Sequence, residues 1–155
     1  MIRNEKEYQE AVRRIETNQK FIQHQKSELR KLKLSAREIE RAMAPALSFH
    51  QQLAEEKKWY ENVKRQKFKP ISDLTQIGHL LIALRIASGL SQKDLAHCLD
   101  VSEAQVSRDE RNEYHGISIE RVDKIFSIFK VHLESTIQVE DQPLTREKVL
   151  AGVSH

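Results

Sequence analysis

Seven histidines and one cysteine, Cys98, are the side chains in this 155-residue chain whose types could ligate a metal or attack a substrate. Their spacing argues against both. No pair of them combines with a second Cys or a carboxylate at the separations a tetrahedral metal site uses. His97 and Cys98 are neighbours on one predicted helix and point to different sides of it. His50 falls beside a predicted helical seam, which makes it a packing residue. A Gly-rich phosphate cradle and a Gly-flanked nucleophile are both missing. The chain is therefore expected not to be an enzyme and to hold no cofactor and no metal ion. What the spacing does support is hydrogen bonding at helix starts. Ser91 stands three residues before Asp94, and Ser102 three before Gln105.

These pairs open two short amphipathic helices within Leu90–Arg111, LSQKDLAHCLDVSEAQVSRDER. Leu95, Ala96 and Leu99 supply an apolar face, Val101 leads into the second helix, and small Ala96 permits a close crossing. Upstream, Asp73 with Gln76 predicts a helix running to about Ser88. It buries Ile77, Leu80, Leu81, Leu84 and Ala87, and Gly89 stops it. Downstream, Glu113–Ile117 is a loop, and Ser118 caps a helix with Val122, Ile125, Phe126 and Phe129 on its apolar side. Val131-His132-Leu133 closes a four-helix unit of about 60 residues, a size that can fold alone.

The chain before this unit reads as a long helical hairpin. From Asn4 to Lys33 there is no Gly or Pro, and Tyr8, Ile15, Ile22 and Leu29 recur every seven residues, with Ala11, Val12 and Leu32 beside them. A helix of about 30 residues is roughly 45 Å long. Ser35 with Glu38 restarts the helix, and Leu34 with Ile39 fits a hydrophobic staple. A second heptad follows in Ile39, Ala46, Leu53 and Tyr60, with Ala42, Phe49 and Val63 on the companion track. Folding back at Leu34 opposes Tyr8 to Tyr60 and Ile22 to Ala46, an antiparallel, coiled-coil-like hairpin. Pro45 either kinks the second helix or begins a new one. Asn18, Gln25 and Glu56 weaken the seam. Phe21, Leu47 and Trp59 lie off it and need cover, either from a second copy of the chain or from the C-terminal unit of the same chain. Pro70 ends the arm. The expected division is a hairpin arm for dimerisation over 1–69, the compact unit over 70–135 and a tail over 136–155. The tail is expected either to form a short strand at Ile137–Val139 and a brief helix at Pro143–Leu150 or to stay unordered until a partner binds.

With only 4 Gly and 3 Pro, the chain lacks turn material for an all-β fold, so an all-α class is expected. The opening Met1–Glu5 runs straight into charged sequence, no apolar run is long enough to span a membrane, and a single Cys excludes an intrachain disulfide. A cytoplasmic protein with no membrane partner is expected. Residues 1–70 carry 17 Lys/Arg against 10 Asp/Glu, whereas 71–155 carry 9 against 13. The short-helix unit is therefore the acidic half, and general basicity does not argue for nucleic acid there.

Position does. Gly89-Leu90-Ser91-Gln92, Asp94-Leu95-Ala96, Leu99, Val101-Ser102, Val106-Ser107-Arg108 and Glu110-Arg111 resemble the lambda-repressor-like (Xre/Cro-type) helix-turn-helix family, over residues 76–133. With the preceding hairpin, the run Val106–Gly116 is also similar to HigA-type antitoxin regulators. The resemblance implies a double-stranded DNA partner. Gln92 and Lys93, at the start of the first short helix, would contact phosphate. The recognition helix would start at Ser102 and present Glu103, Ala104, Gln105 and Arg108 to the major groove. Gln105 suits adenine, Arg108 guanine or phosphate, and Ala104 a thymine methyl. Glu103 either accepts from cytosine or stabilises the helix N-terminus. Arg111, Asn112, Tyr114 and His115 would meet the sugar-phosphate backbone. Arg85 and Glu110 would form a structural ion pair between helices. Asp100 and Asn112 stand where the family usually has Gly, and Asp109 where it has an apolar residue, which faces it toward solvent or the arm. The function expected is a dimeric, sequence-specific transcriptional regulator, most simply a repressor. The alternatives are the antitoxin of a type II toxin–antitoxin pair that represses its own operon, with a protein toxin as partner, and a module that contacts protein only.

Overall fold

The computed structural model describes residues 1–134, and the strand and helix expected in the tail lie outside them. The described residues form helices α1 (Glu5–Lys31), α2 (Ala36–Lys64), α3 (Ile77–Ala87), α4 (Gln92–Leu99), α5 (Glu103–Arg111) and α6 (Ile119–Phe129), with a 3₁₀ turn at Leu74–Gln76 before α3. Among them there is no strand, and the class is all-α.

Every α-helix except α3 starts on a side-chain oxygen that accepts an otherwise orphaned backbone N–H. Asn4 accepts from Glu7 at α1, a cap the heptad pattern did not reveal. Ser35 and Glu38 form the reciprocal box expected at α2. Asp73 caps the 3₁₀ turn, so α3 itself begins only at Ile77. Ser91, Ser102 and Ser118 cap α4, α5 and α6. Gly89 (φ +75°) turns the chain after α3, where the Leu90 N–H returns to the Arg85 carbonyl at 3.2 Å.

α1 and α2 pack antiparallel. Tyr8 stacks on Tyr60 with ring centroids 5.1 Å apart, and the Asn18 amide reaches the Ala46 carbonyl at 3.4 Å. Pro45 neither breaks α2 nor starts a new helix. Pro45 and Arg41, whose carbonyl loses its helical partner, are both exposed, so water can satisfy that oxygen. The companion track differs from expectation. Ala42 and Phe49 are exposed, while Met43 is buried and His50 half-buried. In α2 the seam alternates by four and three residues, so Met43 and His50, rather than Ala42 and Phe49, face α1.

The base of the hairpin is not free. Ile2, Ala11, Tyr60 and Val63 share one core with Leu81, Ile82, Leu95, Leu99, Val106 and Ile125, and Trp59 packs half-buried against it. The N-terminus closes the joint. The Met1 ammonium lies 3.3 Å from Glu56, and the Arg3 carbonyl accepts from Arg85 at 3.0 Å. Trp59 is thus partly covered by its own chain, whereas Phe21, Leu47 and Phe49 are exposed.

Candidate nucleic-acid interface

The α4–α5 pair is set by its caps and by one buried ion pair. At α4 the Ser91 hydroxyl accepts from the Asp94 N–H at 3.1 Å, and the Asp94 carboxylate accepts from the Ser91 N–H at 2.8 Å. The Ser91 hydroxyl and amide hold the Asp94 carboxyl below the usual carboxylate range. Asp100 ends α4 in the left-handed region at φ 57°, which Asp tolerates better than most residues. At α5 Ser102 accepts from the Gln105 N–H at 3.2 Å, but Gln105 does not return the bond. Its amide donates to Asp109 at 2.6 Å and its carbonyl accepts from Arg108 at 3.1 Å.

The inner face of α5 carries Val106 and Glu110, each 0% exposed. Glu110 receives both Nε and Nη2 of Arg85, the latter at 2.8 Å, and a third bond from Gln92 at 2.8 Å. Arg85 also donates to the Leu90 and Arg3 carbonyls, at 2.9 and 3.0 Å. A buried charge is tolerated only when paired and hydrogen-bonded, and here both partners are. This network joins α3, α4, α5 and the N-terminal segment. It includes Gln92, which is half-buried and bonded inward as well as lying at the edge of the outer face.

Two further contacts fix the unit against its neighbours, and neither was read from the sequence. Asp109 faces neither solvent nor the arm, because α6 supplies its partner, Arg121 Nη2 at 2.6 Å. A carboxylate here replaces the expected apolar contact with an ion pair. The Lys124 ammonium on α6 caps the end of α4 through the Leu99 carbonyl at 2.9 Å. Gly78 is the tightest point. A Cβ there would sit 1.9 Å from the Glu113 carbonyl oxygen, so α3 and the loop after α5 touch backbone to backbone.

That loop also corrects two expectations. Asn112 is not left-handed; the positive φ values fall on Glu113 (52°) and Tyr114 (56°). Tyr114 is 4% exposed and its hydroxyl is buried, so it belongs to the core and cannot reach a phosphate. Burial, with Glu110 and Asp109 nearby, pushes its phenol well above the ordinary value.

The remaining predicted residues lie at the surface. Lys93, Ser102, Glu103, Ala104, Arg108, Arg111, Asn112 and His115 are exposed, and Gln105 is half-buried. The outer face of α5 thus offers a methyl group, an amide and two guanidinium groups, with Lys93 on α4 and Glu103 as the one acid of its first turn. Arg121 and Arg85, by contrast, are already committed to carboxylates.

No single helix among the described residues is long and apolar enough to cross a membrane. Curated proteins and solved structures gave no match to the chain. A family model described as helix-turn-helix matches residues 81–135, from inside α3 to beyond α6. Over these residues the chain is similar to helix-turn-helix domains, a module that supports DNA binding and transcriptional regulation.

Proposed function

We propose that the protein is a sequence-specific transcriptional repressor that binds duplex DNA as a homodimer, with the outer face of α5 in the major groove. The observation that carries this reading is the contrast between the two faces of α5. Its inner face is locked by Val106 and the Arg85–Glu110–Gln92 network, while Ala104, Arg108 and the edge of Gln105 are free to meet base edges. Ala104 contacts a thymine methyl, Gln105 reads adenine after releasing Asp109, and Arg108 reads guanine. Lys93, Arg111, Asn112 and His115 bind phosphates, and Gln92 and Ser102 set the register. Glu103 stabilises the N-terminus of α5.

The dimer is supported by the arm. Phe21 (50% exposed) and Phe49 (49%) line one open apolar surface together with Glu10, Arg13 and Arg14. Acid and base beside an apolar centre make a surface that a two-fold axis can pair with itself. Because the base of the arm shares the helix-turn-helix core, pairing of arms spaces two recognition helices. Duplex from the protein's own upstream region, titrated at several salt concentrations, tests the reading. Salt-dependent binding that survives nonspecific competitor is expected, and equal binding to scrambled duplex contradicts it.

A second reading, the antitoxin of a type II pair, has one observation in its favour. Leu47 is also exposed and lies about 200° around α2 from Phe49, so it remains open after the arms pair through Phe49. A small toxin co-purifying with the chain and lost on Leu47→Glu would establish it.

A further inference from the structure

At the joint between the arm and the helix-turn-helix domain lies a cleft of about 620 Å³ that shares no residue with the α5 face. The last turns of α2 and the first turns of α3 form two walls, and the linker that follows Lys67 forms the third. Its lining is more apolar than polar, although Asn62 and Gln76 also contribute to it. Trp59 and Val63 come from α2, Leu80 and Ala83 from α3, and Phe68 and Pro70 from the linker. Its rim is basic, with Lys58, Lys67 and Lys69 against a single acid, Glu55. His79, the other titratable group on the rim, is already paired with Glu113 at 3.1 Å.

Neither half of this arrangement is explained by the fold. Phe68 is 41% exposed although it stands against an apolar wall, and three lysines line the cleft where one carboxylate residue does. The volume lies in the range of about 300–1,000 Å³ that holds small organic ligands, and is too small for a docked helix. Duplex DNA would leave the aromatic wall unused, and a neutral ligand would leave the lysines unused. The complement is an amphipathic anion.

We propose that this cleft binds a small organic acid, aromatic or medium-chain, with its apolar part between Trp59, Phe68 and Leu80 and its carboxylate at Lys67 and Lys69. Because two of the walls are α2 and α3, a bound acid holds the arm at one angle to the DNA-reading unit. Occupancy therefore changes operator affinity. That second step rests on the DNA-binding reading above; binding itself does not.

Trp59 is the only tryptophan in the chain, so its fluorescence reports the site directly. The probe is 4-phenylbutyrate, with 4-phenylbutan-1-ol and 4-phenylbutylamine as neutral and cationic analogues, titrated into the full chain without DNA. The acid is expected to give a saturable change with a dissociation constant on the order of 1 mM or tighter. The alcohol is expected to bind at least about tenfold more weakly and the amine more weakly still. The double variant Lys67→Gln/Lys69→Gln changes only exposed side chains. It should lose about tenfold for the acid, leave the alcohol unchanged and keep the wild-type melting curve. Phe68→Ala should weaken acid and alcohol together. No saturable change with the acid, amine binding equal to acid, or a lysine variant indistinguishable from wild type would each overturn the site. Saturable binding that leaves operator affinity unchanged would overturn the regulatory step alone.

Discussion

Glu110 is the residue whose environment most constrains its role. Fully buried, it accepts from Arg85 twice and from Gln92 once. Glu110→Ala leaves the Arg85 guanidinium in the core without its partner, a change that costs about 3–5 kcal/mol. For a domain this small, that is most of its stability. Chemical denaturation should show the loss, and an unchanged midpoint would contradict the assignment. Gly78 makes a second prediction at this scale. A methyl group 1.9 Å from a backbone oxygen forces the Glu113–Tyr114 loop to move. Gly78→Ala should destabilise by about 1–3 kcal/mol through overpacking. The residues proposed to face DNA divide by chemistry. Arg108→Ala should cost about 1–3 kcal/mol on the preferred sequence and relax the preference at one base pair. Arg111→Ala should weaken all sequences alike and lower the salt slope by about 1. Equal losses on cognate and scrambled duplex for both variants would contradict that division.

The helix starts were legible in the sequence because a cap is a local event. Ser35, Ser91, Ser102 and Ser118 accept the bonds their spacing implies, and a one-turn pattern contains all of that information. Contacts between helices were legible only in part. The Tyr8–Tyr60 register followed from matched heptads, but the choice between Ala42/Phe49 and Met43/His50 depended on how α2 rotates against α1. Partners from distant segments left no local trace. Asp109 looked anomalous until α6 placed Arg121 beside it, and Tyr114 looked like a surface aromatic until the loop folded it under α3. The caps also carry a pH dependence. The Asp94 carboxyl lies below its ordinary value in the folded chain, chiefly through the Ser91 hydroxyl and then its amide. The cap's contribution is therefore full above the unfolded value, about 3.9, and is lost as pH falls through the lower folded value. Asp94→Asn should lower the melting temperature near neutral pH. The gap to wild type should close as pH falls below the ordinary aspartate value and through the lower folded one, and a gap that stayed constant would contradict the cap.

Across the whole molecule, the charge asymmetry and the shared core suggest a division of labour. The basic arm is built into the acidic helix-turn-helix unit through Ile2, Tyr60, Val63 and Trp59, so arm geometry and helix geometry change together. If the arms pair as proposed, Phe21→Glu with Phe49→Glu should leave each chain folded and give a monomer in light scattering where the wild type gives a dimer. Operator affinity should then fall well over tenfold, because each half-site binds alone. The proposed dimer would also leave a mark on the DNA, as two half-sites at a fixed spacing. The most direct test of the central claim is selection of duplexes bound by the full-length chain from a random pool. Enrichment of an inverted repeat with half-site centres about one helical turn apart, or a multiple of it, is the result predicted. A pool that stays random after repeated rounds would contradict sequence reading by α5.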